Sequence, residues 1–103
     1  MTSQLEDALE REFLKAVDIC IHLYQYRPSY FLQMLTNYGA VNTAIRLVTA
    51  TKLHEGFAKL WELKRLDLTV EAIVLRSPYN QLFTKEVLDC ASNRLKALGY
   101  HDE

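Results

Sequence analysis

Little interrupts this chain. Only three glycines and two prolines occur in 103 residues, which argues against the many tight turns of an all-β domain and against a disordered tract, and leaves a compact helical protein as the expectation. Cysteine is scarce too. Cys20 and Cys90 both fall in helical pattern and read as small hydrophobes of a reducing compartment, a disulfide between them being the alternative. No stretch approaches the ~18 uncharged apolar residues of a membrane span. The opening MTSQLEDALERE is acidic, unlike the basic start of a secretory leader. These absences predict a soluble, cytoplasmic protein that does not engage a membrane.

Charge of one sign is also missing. The net value is −1, so no overall field draws the chain to nucleic acid. Residues 28–66 carry five bases against two acids, while both flanks are acidic. Helical spacing pairs Glu55 with Lys59 and Glu62 with Arg65, which offsets part of that basic middle. Zinc-ligand spacings and phosphate-binding glycine loops are absent from the sequence.

What is present is helical periodicity. A first helix runs from about Ser3 to Tyr26 and ends at Arg27-Pro28, because proline disfavours helical geometry in the residue before it. Ser29 is expected to cap a helix over Tyr30–Tyr38, Gly39 to end it in a left-handed conformation, and a third helix to cover Ala40–Ala50. The segment Gly56–Leu75 then reads as a helical hairpin. Phe57, Leu60, Trp61 and Leu63 share one broad apolar face, Leu66–Thr69 turns the chain, and Thr69 caps Val70–Leu75. Trp61 is expected to be largely buried against Phe57, the third helix and the last one. Ser77-Pro78-Tyr79-Asn80 is a loop. Thr84 caps the last helix, Phe83 staples onto Leu88, and Leu98-Gly99-Tyr100 closes it, leaving His101-Asp102-Glu103 as a frayed tail. The expected fold class is all-α: a compact single-domain bundle of five to six helices built from helical hairpins.

The strings YRPSYFLQMLTNYGAVNTAIRLV, GFAKLWELKRLDLTVEAIVL and LFTKEVLDCASNRLKALGY together resemble a small helical domain that recurs in bacterial proteins, alone or as a C-terminal appendage. The likeness spans about residues 27–100 and leaves the first 26 outside. It implies a bacterial accessory domain with no established activity, and no catalytic residue carries over.

Function is read mainly from the first helix. Leu5, Leu9, Phe13, Ala16, Cys20 and Leu23 form one stripe, yet Leu14, Val17, Ile19, Ile21, Tyr24 and Tyr26 make most of its second half apolar all round. A helix apolar on nearly all sides is buried on nearly all sides. A domain this small covers one face, which leaves the other to a partner. With the Tyr- and Arg-rich bend beside it, the expected interface is Phe13, Leu14, Val17, Ile21, Tyr24, Tyr26, Arg27 and Tyr30. The reading is a non-enzymatic interaction or accessory module, a homodimer or the subunit of a partner protein, with no cofactor, metal or small-molecule ligand indicated.

A helix-turn-helix is the alternative. There Asn42, Thr43, Arg46 and Lys52 would contact nucleic acid from the third helix and the turn after it. Asp18 and His22, one turn apart, suggest a metal pair or, with Cys90, a nucleophile arrangement, but no third ligand stands at a recognisable spacing. His54 beside Glu55 reads as a solvated residue at a helix start.

Overall fold

A computed structural model of the chain describes residues 3–52 and 54–100. The tail His101-Asp102-Glu103 lies outside the described residues. Five α-helices follow in order, α1 Gln4–Tyr24, α2 Ser29–Thr49, α3 Glu55–Glu62, α4 Val70–Val74 and α5 Lys85–Ala97, with short 3₁₀ turns at Leu66–Leu68 and Tyr79–Leu82. The described residues contain no strand, so the fold is all-α.

Local signals account for the boundaries. Ser3 and Glu6 form a reciprocal capping box at the start of α1. Thr69 and Thr84 accept the N–H groups of Ala72 and Val87, as their sequence positions predict. Gly99 stands at φ 82°, and the Tyr100 and Gly99 N–H groups donate back to the Leu95 and Lys96 carbonyls, closing α5 in a Schellman turn. A similar turn closes α3, where Lys64 N–H donates to the Trp61 carbonyl and Arg65 N–H to that of Leu60. There the left-handed position is taken by Lys64 at φ 60°.

Two boundaries differ from expectation. Helix α1 ends at Tyr24, not Tyr26, because Gln25 adopts φ 54° and Tyr26 N–H folds back onto the Cys20 carbonyl. Ser29 belongs to α2 and does not cap it; the helix starts from the Pro28 carbonyl, which accepts from Leu32 N–H. Gly39, at φ 82° and ψ 170°, breaks α2 into two rods, a conformation that essentially only glycine reaches. Buried Thr43 spans the kink by donating its hydroxyl to the Met34 carbonyl at 2.9 Å.

The innermost helix is α4. All five of its residues are buried. Its apolar members pack with Leu9 and Phe13 of α1, Ala44 and Val48 of α2, and Val87 and Ala91 of α5. On the other side Ala72 joins Phe57, Leu66 and Leu95 in a second cluster.

Glu71 is the one charged residue on this buried helix, and it is fully inaccessible. Its carboxylate receives Arg94 Nη1 at 3.0 Å and His54 Nε2 at 3.3 Å. Arg94 also donates to the carbonyls of Leu47 and Ala50 at the end of α2. His54 Nδ1 accepts the Phe57 N–H, capping α3, which leaves the ring proton on Nε2 to face Glu71. His54 is therefore not solvated: only 12% of its side chain is accessible.

Trp61 corrects a second expectation, being 51% exposed. Two-turn α3 turns only Phe57 and Leu60 inward. Trp61, about 100° further round the helix, lines a shallow groove with Leu66, Leu98 and Tyr100.

The left-handed positions make opposite predictions. Gly39→Ala meets nothing within 4 Å of its new Cβ, so its cost of about 1–3 kcal/mol is purely backbone strain. Lys64→Gly relieves strain and is expected to stabilise by about 0.5 kcal/mol. Urea denaturation of both variants checks the pair; equal effects of one sign would contradict the assignment.

Candidate functional site

The bend between α1 and α2 collects most of the residues expected at an interface, but not all. Phe13 and Val17 are 1% and 7% exposed. They continue the inward stripe of Leu9 and Cys20, and Phe13 meets the Phe31 ring edge-on at 5.4 Å. Both are core residues, not part of the exposed surface of α1. The stretch is not apolar all round either: Asp18 and His22 form a solvated pair at 3.0 Å on its outer side.

The remaining members border solvent. Leu14 is 42% exposed and Ile21 half-buried on one flank of α1. Leu23, outside the expected set, and Tyr30 are the most exposed large apolar side chains described, at 66% and 67%. Arg27 is exposed between them. Tyr24 and Tyr26 are half-buried and held by cations. Arg65 donates to the Tyr24 hydroxyl at 2.8 Å while its other nitrogens fork onto Asp67 at 3.0 and 3.1 Å. It thus pairs with Asp67 where the sequence suggested Glu62, and the Asp67 and Tyr24 hydrogen bonds hold the guanidinium firmly protonated. Lys59 Nζ lies 5.9 Å from the centre of the Tyr26 ring.

Beneath the bend is a cavity of about 70 Å³. Its floor is Phe13, Val17 and Cys20 from α1 with Val70 and Ile73 from α4, and its rim is Tyr26, Ser29, Tyr30 and Glu55. Burial pushes the Cys20 thiol above its ordinary pKa, against a smaller opposing pull from Arg65. Burial likewise raises the Tyr26 phenol, reinforced by the nearby Glu55 carboxylate.

One member of the nucleic-acid set is buried and another is engaged. Asn42, Arg46 and Lys52 are exposed, but Thr43 is fully buried and committed to the α2 kink, and Arg46 stacks on the Tyr38 ring at 4.1 Å. A single glycine, not a turn of three or four residues, separates the two rods.

Asp18 and His22 do meet, as an exposed pair, but among the described residues no further ligand joins them. Among the described residues no three His, Cys, Asp or Glu side chains cluster to hold an ion. Cys20 is buried, Cys90 is exposed, and neither is in a disulfide. No helix among the described residues is long and apolar enough to cross a membrane.

Sequence reasoning missed the cavity and Leu23. The cavity carries no local signal, since its walls come from segments far apart in the chain. Leu23 was placed on the inward stripe, but the buried residues of α1 end at Cys20, and its last turn runs beyond them. The sequence matches no protein-family model and no curated protein, and the fold matches no solved structure.

The raised thiol and phenol link stability to alkaline pH. A group whose pKa is raised by folding adds stability that is complete below its ordinary pKa and is lost as pH rises through the folded value. Urea midpoints are therefore expected to hold steady up to the ordinary thiol value of 9.0 and to fall above it. Cys20→Ala lowers the midpoint everywhere but flattens that fall; an unchanged slope in the variant would contradict the assignment.

Proposed function

We propose that this chain is a non-enzymatic protein-interaction module of the accessory kind, which self-associates through the outer flank of α1 and the bend that follows. The observation that carries this reading is the exposure of Leu23 and Tyr30 on either side of the bend. Leu14 and Ile21 form a second exposed or half-buried flank on the side of α1 away from Leu23, and Tyr24, Tyr26 and Arg27 add, around the bend, the residue types that dominate binding energy in protein interfaces. Fixing of Tyr24 by Arg65 supports the reading further, because a side chain ordered before contact loses less entropy on binding. The nucleic-acid alternative has less support, since the net charge is −1 and Thr43 is inaccessible.

Light scattering tests self-association. The wild type is expected to be a dimer at micromolar concentration, and Leu14→Glu or Leu23→Glu a soluble monomer with unchanged circular dichroism, since both positions are exposed. A wild type that remains monomeric at millimolar concentration would remove self-association.

A further inference from the structure

The cavity under the bend opens beside the surface proposed for self-association and shares Tyr26 and Tyr30 with it. We propose that it is an anchor pocket for a single branched aliphatic side chain of a partner protein, presented next to a basic residue. This rests on the bend being a contact surface but not on self-association.

Size comes first. Cofactor and drug-sized sites run to roughly 300–1,000 Å³, and the cavity holds about 70 Å³. That is about five times what one water needs, the room of four or five heavy atoms, which matches the four carbons of a leucine side chain. Wall chemistry points the same way. The floor is apolar, and the polar groups that reach the cavity from His54 and Thr69 are already engaged. His54 spends Nδ1 on Phe57 N–H and Nε2 on Glu71, and the Thr69 hydroxyl donates to the Leu66 carbonyl and accepts from Ala72 N–H. An entering polar group finds no free partner on His54 or Thr69, and the hydroxyls of Tyr26, Ser29 and Tyr30 stand at the rim, where solvent reaches them. Access is shown by the lining itself, which grades from 1% exposure at Phe13 to 67% at Tyr30.

The rim supplies the charge preference. Exposed Glu55 lies at the mouth, makes no ion pair among the described residues and raises the Tyr26 phenol beside it. An arriving lysine or arginine would meet it. Tyrosines at the rim around an apolar socket give the ring of residues that excludes water from a central anchor.

Amide NMR titration with blocked dipeptides tests this, in wild type and in Leu23→Glu protein alike. N-acetyl-Leu-Lys-amide is expected to shift the amides of Val17, Cys20 and Gly56. N-acetyl-Ala-Lys-amide should bind at least about tenfold more weakly, for the lost methyl and methylene groups, and N-acetyl-Leu-Glu-amide about three- to fivefold more weakly, for the exposed charge pair. Glu55→Gln should erase the Lys-over-Glu preference without touching the leucine requirement. Val17→Phe, which fills the floor, should abolish binding; should it fail to fold, Glu55→Gln still decides. No leucine-dependent shift, or shifts confined to the Trp61 groove, would overturn the proposal. So would binding of isoamyl alcohol without binding of the leucyl-lysine peptide, which assigns the cavity to a free small molecule. A monomer that takes the peptide overturns self-association and supports the pocket; a dimer that ignores it overturns the pocket alone.

Discussion

A carboxylate buried on a helix with no exposed side is the constraint around which this molecule is arranged. An isolated charge in such a place is prohibitively costly, so Glu71 is tolerable only if the surrounding elements deliver partners to it. They come from both directions. Arg94 arrives from α5 and His54 from the start of α3, and each serves a second purpose on the way. Arg94 satisfies carbonyls left open at the end of α2, and His54 satisfies an N–H left open at the start of α3. One buried network therefore fixes how four helices meet, and no buried side-chain nitrogen or oxygen among the described residues lacks a partner.

That arrangement reaches the surface proposed for contact. His54 forms part of the cavity wall, with Glu55 at its mouth, so the network that locks α3 in place also shapes the rim. Tyr26 and Tyr30 cover the other side of the opening because Gln25 turns the chain back along α1. A rigid scaffold thus presents a small apolar socket framed by tyrosines, near the exposed Leu23 at the end of α1.

How much of this was legible in the sequence depends on range. Features set by two or three neighbouring residues were readable: the Thr69 and Thr84 caps, the Gly99 turn and the break at Gly39 all follow from side-chain chemistry at fixed offsets. The α1 boundary was not, because glutamine and lysine seldom occupy left-handed positions and nothing local marks Gln25 or Lys64 as exceptions. Burial was misread where a helix is short or runs past the core. Trp61 sits one step beyond the inward face of a two-turn helix, and Phe13 and Val17 fall inside a stripe that the count of apolar residues made appear continuous. The Glu71 network was invisible for a different reason: its members are 17 and 23 residues apart along the chain, and helical spacing says nothing at that distance.

The claim that Glu71 and Arg94 act as one buried unit is tested most directly by a double-mutant cycle. Glu71→Gln and Arg94→Met are each expected to cost about 3–5 kcal/mol, because each strands a buried partner. The double variant should cost less than the sum by at least about 2 kcal/mol, since neither group is then left unpaired. Costs that add to within about 0.5 kcal/mol would show that the two residues stabilise the fold independently, and the network would lose its place at the centre of the structure.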